Sequence, residues 1–437
     1  MYSLSLCIEN DQIGLHGPQT TLPLHGCRRL PGQRLANNHT LEVLELILQG
    51  SAGQNRAWIG RLQSFLQRIN QGQSAVLSLQ SEPREFPYES RIYSADFQWI
   101  VGSLQPKGIG LRLQLERDDF WEGPAYSLPL SNRYGSRVTG GLRVDNRADT
   151  FGENQVRWLA EDVSGELPAP AQLLLAHKLG SNAVPQNMYA GHLRAVEDNL
   201  AVLEGETAAS DLSNTLLPDA GCQGGVYRQV EWQGSAEQEL LRWQFEDVFK
   251  AVLQSVRVRP FLRLPAAAPV VETCWLRWVI SQGGIVYQSQ MVSLQPGLQL
   301  QALPILQLPA THSKYPHPAS YRVSLLIQAQ GEGSHVLAVD AIFLLGLDGW
   351  RHFQPYPGGS LMAGQTLIDF GAEQQPLLLE DQSGTVAQTY AGLGGGIWVC
   401  PYEDQSFQFL ADSGTLMPLD AYLELEIRYR PRVRMLV

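Results

Sequence analysis

The sequence carries little charge. Asp, Glu, Lys and Arg together make up 17% of its 437 residues, below the quarter that is ordinary for globular chains. Apolar residues still reach 44%, so this is not the composition of a disordered chain, which lacks apolar residues instead. No block of Lys or Arg occurs, and the net charge is −11. Such a chain has no electrostatic pull on a phosphate backbone, and no nucleic-acid specificity is expected. Cysteine is sparse and odd in number. Cys7, Cys27, Cys222, Cys274 and Cys400 lie far apart, with no CxxC pair and no disulfide-framework spacing, which fits synthesis in a reducing cytoplasm. No run approaches the ~18 apolar residues of a membrane-crossing helix, so no membrane insertion is expected. Met1–Leu6 has neither the charged start nor the apolar core of a signal peptide.

Helical periodicity is scarce too. The clear case is Gln54–Gln71, where Trp58, Ile59, Leu62, Phe65, Leu66 and Ile69 form one apolar stripe at 3.6-residue spacing. Arg56, Arg61 and Arg68 fall outside the stripe, and Asn70 and Gly72 supply a stop. Period-2 patterns surround this helix. Thr40–Gly50 places Leu44, Leu46 and Leu48 on one face, and Ile109, Leu111, Leu113 and Leu115 alternate with polar residues. Ala75–Gln80 and Arg91–Gly102 read as further strands. The cluster Phe120-Trp121-Glu122-Gly123-Pro124 ends the module, because Gly-Pro breaks regular structure.

From 125 to about 350 short strand candidates recur between Gly, Pro, Asn and Asp clusters. They are Gly141–Asn146, Gln155–Ala160, Gln172–His177, Met188–Ala195, Glu239–Phe245, Phe249–Arg259, Cys274–Ile280, Gly284–Leu294, Ala319–Gln330 and Val336–Leu345. Around 234–252 a helix competes with the strand reading, which Trp243 and Phe245 favour by alternating with Arg242, Gln244 and Glu246. Residues 351–437 form a second β region, ending in the alternating Ala421–Arg430, a strand expected to pair with something earlier. Arg428, Arg430, Arg432 and Arg434 alternate as if on one strand face. The fold expected is mainly β: residues 1–123 a β module with helix 54–71, residues 124–350 a jelly-roll-like sandwich, and residues 351–437 a β region, separate or completing an earlier sheet.

The chemistry of known sites is missing. His312 and His317 are five apart across Pro316 and so are not an i,i+4 metal pair, and His16 and His25 flank turns with no Cys/His spacing that would complete a site. There is no HExxH, EF-hand loop, P-loop or GxSxG elbow. The run Ala391–Gly396 is Gly-rich but matches no complete phosphate-binding pattern. Acidic pairs such as Asp118/Asp119, Glu161/Asp162, Glu204/Glu206 and Asp340/Asp348 are scattered, and adjacent strand residues point to opposite faces. No catalytic, cofactor-binding or metal residue is assigned, no cofactor is expected, and the chain reads as a non-enzyme. Trp232, Trp243, Trp275, Trp278 and Trp350 lie in the sandwich region. Most read as core, and any that reached the surface would be a stacking platform for sugar.

The order of strand, amphipathic helix, strands and a final strand ending in a turn resembles phage distal tail proteins and related siphophage-like tail-tip (baseplate) components. The residues that carry it are TLEVLELILQG at 40–50, the helix at 54–71 and IGLRLQLERDDFWEG at 109–123. Three later pieces are similar as well: Gly165–Pro170, Val339–Trp350 and Tyr429–Arg432. The resemblance implies a structural subunit of the virion tail, assembled in the host cytoplasm. It implies a homohexameric ring formed by the N-terminal module, with the sandwich projecting outward. Its partners would be copies of itself, the tail tube protein, and a tail hub or receptor-binding protein. An alternative is a carbohydrate-binding tail protein that attaches to host surface glycans through the middle sandwich.

Overall fold

In a computed structural model the alternating leucines of the N-terminal module face one core. The structure describes residues 2–434 except 18–23, 83–84, 101–107, 133–134, 145–153, 179–183, 194–201, 220, 247–256, 266–272, 283–284, 296–299, 308–319, 347–349, 358, 372–373, 381–382 and 413–422. The described chain is mainly β, with one α-helix near its N-terminus and sandwich-like sheets. It divides into two units. Unit 1 comprises Met1–Tyr126, Ser164–Ala169 and Arg430–Val437, and unit 2 comprises Ser127–Val163 and Pro170–Tyr429.

Unit 1 is built on β1 (Tyr2–Ile8), β2 (Asp11–His16), β3 (Leu24–Arg34), β4 (His39–Leu48), α1 (Ala52–Asn70), β5 (Ala75–Ser81), β6 (Tyr88–Trp99), β7 (Ile109–Asp118) and β8 (Trp121–Glu122). The strands form one antiparallel sheet in the order β2-β1-β5-β6-β7-β4-β3, with β8 beside β6. β4 and β7 pair over ten positions, setting Leu44 opposite Leu113 and Leu46 opposite Leu111. All four are fully buried, and each contributes roughly 1.5–3 kcal/mol relative to exposure. The helix stripe enters the same core through Trp58, Leu62, Phe65, Leu66 and Ile69. Helix α1 starts at Ala52, ahead of the expected Gln54, because Ser51 and Gln54 form a reciprocal cap. Buried Asn55 fixes the entry further, donating to the Gly50 carbonyl and accepting from its N–H, each at 3.1 Å.

The longer strand pairings of unit 2 are antiparallel. Residues 351–437 contribute strands to sheets begun earlier in the chain. Leu423–Tyr429 lies between Leu142–Val144 and the 171–177 strand, and Gln405–Asp412 lies between Gln155–Trp158 and Asn187–Leu193. Three other sheets share one apolar cluster that includes Trp232, Trp243, Leu276, Trp278, Leu325 and Ile342. Gln238–Glu246 is a strand, as Trp243 and Phe245 indicated, with a bulge between Glu239 and Leu241. The expected single strand Val336–Leu345 is corrected. It is two strands, Ser334–Val339 and Ala341–Gly346, in two different sheets. The chain leaves one for the other at Asp340, which is fully buried beside Arg263, 3.2 Å away. The N-terminal part of the expected Phe249–Arg259 strand lies outside the described residues, and the strand there is Arg257–Arg263.

Candidate functional site

The sharpest local construction in unit 1 is the turn after β7. Each residue of the Phe120–Gly123 cluster has a separate contact. Trp121 is fully buried in the apolar core and pairs across an antiparallel register with Val433. Phe120 carries the Arg432 guanidinium over its ring at 4.0 Å. Glu122 accepts from the Arg432 Nε at 2.8 Å and lies 2.7 Å from a second Arg432 nitrogen. Gly123 donates to the Pro431 carbonyl at 2.8 Å and accepts from the Arg430 Nε at 2.8 Å. Its missing side chain leaves room for the Tyr88 ring, which a Cβ would meet at 3.1 Å. The four arginines 428, 430, 432 and 434 therefore do not share a strand face, a correction of the alternating pattern. The strand ends at Tyr429, and the short strand Arg432–Val433 belongs to unit 1.

Behind Trp121 lies a buried charge cluster. Glu42 accepts from the Arg117 Nε at 3.0 Å and from a terminal nitrogen at 2.8 Å, and it also accepts from Arg29. Both guanidiniums stand over the Trp121 ring, at 4.6 Å for Arg117 and 5.3 Å for Arg29. Burial pushes the Arg117 guanidinium below its ordinary value, and the Glu42 charge opposes the shift. The neighbouring Cys27 thiol is pushed up to about 12 by burial and by Glu42. It is held as an inert neutral group, not a nucleophile.

The helix arginines divide. Arg61 and Arg68 both reach Asp11, at 2.9 and 3.0 Å, and Arg61 also donates to the Gln12 carbonyl. Arg56 is exposed. The more open surface is β3, an edge strand of eleven residues whose strand partner among the described residues is β4 alone. It holds Arg28, Arg29 and Arg34 and no carboxylate. Pro31 sits where the register to β4 shifts, a position that a proline tolerates on an edge strand.

The sequence candidates for chemistry do not converge. His16 stacks on Tyr2 and His25 is exposed, while His312 and His317 lie outside the described residues. Asp118 accepts from the Tyr93 hydroxyl at 2.8 Å, and Asp119 pairs with Arg34 at 3.2 Å. Glu161 and Asp162 both take Arg137, and Asp348 lies outside the described residues. The Gly-rich run wraps an arginine: the Gly394 carbonyl accepts from Arg351 at 3.1 Å, and a Cβ at Gly392 would overlap the same guanidinium. Among the described residues no group of His, Cys, Asp and Glu could hold a metal ion. The five cysteines form no disulfide. Trp232, Trp243 and Trp278 are core, whereas Trp275 and Trp350 are half-buried.

Two structurally important features escaped the sequence reading. The S-x-x-Q cap of Ser51 and Gln54 was there to be read. Glu42 carried no local signal, because its partner Arg117 comes from 75 residues further on.

No protein-family model matches the chain, and no curated protein matches it. Solved structures with some likeness include the activated baseplate of phage p2 and the Dit protein of phage SPP1. The first has 10% identity over 45% of this chain and 74% of that one, at a TM-score of 0.24. The second has 9% identity over 78% and 99%, at 0.23. An exo-β-1,3-galactanase from Phanerochaete chrysosporium has 12% identity over 72% and 84%, at 0.18. TM-scores this low do not establish a common fold, and a baseplate and a galactanase do not point to one function.

Proposed function

We propose that this chain is a non-catalytic structural subunit of a phage tail tip. Unit 1 forms a sixfold ring with copies of itself, and the ring joins the tail tube to a hub or receptor-binding component. The sequence resemblance at 40–50, 54–71 and 109–123 supplies the tail assignment. The observation that carries the ring is the outer edge of β3. It is long, basic within a chain of net charge −11, and outruns the six-residue β2 at the other end of the sheet. A strand at the edge of a sheet can pair with a strand of another chain, and a head-to-tail contact between copies closes into a ring when its rotation allows. Light scattering and negative-stain images of the purified protein at micromolar concentration test this. Rings that dissociate in the double variant Arg28→Glu/Arg34→Glu are expected. A monodisperse monomer, alone and with tail tube protein, overturns the reading.

A glycan-binding role rests on one residue. Trp275 lies on the side of its strand opposite buried Cys274, Leu276 and Trp278, next to Arg277. Arg277 is held by Glu237 at 2.6 Å and by Gln288 at 3.0 Å. An aromatic face beside fixed polar groups suits a sugar ring. A glycan array should then show hits that Trp275→Ala abolishes, and an array without hits removes this reading.

A further inference from the structure

The chain builds unit 1 from three separated pieces, and the last arrives late. The Arg432–Val433 strand is held on both sides. On one side it pairs with β8. On the other, the Arg432 carbonyl accepts from the N–H groups of Glu166 at 2.7 Å and Leu167 at 3.1 Å. Gly165 makes that approach feasible: its φ is +112°, and a Cβ there would lie 3.0 Å from the Arg432 carbonyl oxygen. Arg430 adds a bond to Glu89 on β6 at 2.7 Å, and the Arg434 N–H donates to Glu166 at 3.0 Å. Val433 completes the apolar core beside Trp121.

We propose that residues 430–433 are a latch that closes unit 1. Without it Trp121 loses its strand partner, Glu89 and Glu122 lose the arginines that bind them here, and the Glu166 and Leu167 N–H groups lose the Arg432 carbonyl. Strands β6 and β8 then open to solvent while the rest of the sheet persists. Unit 1 therefore cannot reach its closed form until residue 433 has been made. A surface that uses unit 1 for assembly is withheld until then. The latch is a claim about the folding of unit 1 and stands whether or not the chain forms a ring.

Hydrogen exchange on the full-length protein tests it, comparing the natural chain with Arg432→Ala, Val433→Ala and Val433→Asp. Amides of 88–92 and 120–123 should exchange at least about tenfold faster in the variants, most in Val433→Asp. Amides of 274–282 in unit 2 should keep their rates and serve as the internal control. Exchange within about twofold of the natural chain in all three variants overturns the latch. So does equal acceleration in both units, even in the mild Val433→Ala, because the contact would then support the whole chain and not close unit 1. Ring formation is read separately by light scattering. If the natural chain forms no ring, the assembly reading falls while the exchange result still decides the latch.

Discussion

Arg117 reaches diagonally across the β4–β7 pair to Glu42 with two nitrogens, and the two residues are only 3% and 1% exposed. Removing one member of such a buried pair costs more than the pair itself contributes, because a charge stays behind without its counter-charge. Glu42→Ala leaves two guanidiniums facing each other over Trp121. It is expected to lower stability by about 3–5 kcal/mol in urea unfolding. Arg29→Ala should cost clearly less, since the Arg29 side chain is 27% exposed and Arg117 still neutralises Glu42. Equal losses in the two variants would contradict this ordering.

A second buried pair fixes unit 2. The Arg351 Nε lies 3.0 Å from both Asp369 oxygens, and a terminal nitrogen lies 2.6 Å from one of them. Its remaining donors go to the Gly371, Gln374 and Gly394 carbonyls. Asp369→Ala should cost about 3–5 kcal/mol. Gly392→Ala places a methyl group on the locked guanidinium and should cost about 1–3 kcal/mol. Calorimetry of the two variants checks both, and a Gly392→Ala chain with an unchanged melting temperature would show that Arg351 is free to move.

These pairs show what the sequence could and could not reveal. The helix and β7 were legible because one period runs through many residues, and burial on a single face imposes that period. The interior of Val336–Leu345 was not legible in this way. Val339, Asp340 and Ala341 are buried in succession, so no alternation marks the point where the chain changes sheets. The turn at 120–123 was visible as a cluster but not as a receptor. Strands of two residues, Trp121–Glu122 and Arg432–Val433, carry no period, and 310 positions separate Glu122 from Arg432. Local pattern reports which face is buried. It does not report which distant segment covers it.

The start of α1 gives a prediction of smaller size. The Ser51 hydroxyl accepts from the Gln54 N–H at 3.3 Å, and the Gln54 side chain accepts from the Ser51 N–H at 2.9 Å. Ser51→Ala removes the first bond and exposes an orphan donor, at a cost of about 1 kcal/mol. Ser51→Asp keeps an acceptor and adds a negative charge at the helix N-terminus, so it should match or exceed the natural stability. Urea unfolding of the two variants decides. A loss in Ser51→Asp as large as in Ser51→Ala would show that the cap does not set this helix end.

The pH response of unit 2 follows from Glu206 and His352, which pull in opposite directions. The Glu206 carboxyl is pushed up to about 7, first by burial and then by the charges of Glu204 and Asp340, with Arg228 opposing. Between the ordinary carboxylate range and pH 7 the folded state therefore holds a proton that the unfolded chain has released, and this contribution to stability falls as pH rises through the window. The His352 imidazole is pushed down to about 4 by burial and by Arg259. Its folded form stays neutral where the unfolded chain takes a proton, so its contribution is lost as pH falls from about 6.5 towards 4. Glu206→Gln mimics the neutral carboxyl and should raise stability at pH 8 relative to the natural chain, by on the order of 1 kcal/mol after solvent screening, with little change at pH 4. His352→Gln should flatten the acid side instead. Melting temperatures of the three proteins from pH 4 to 8 separate the two effects. A Glu206→Gln chain that tracks the natural one at every pH would mean that Glu206 ionises as an ordinary surface carboxylate.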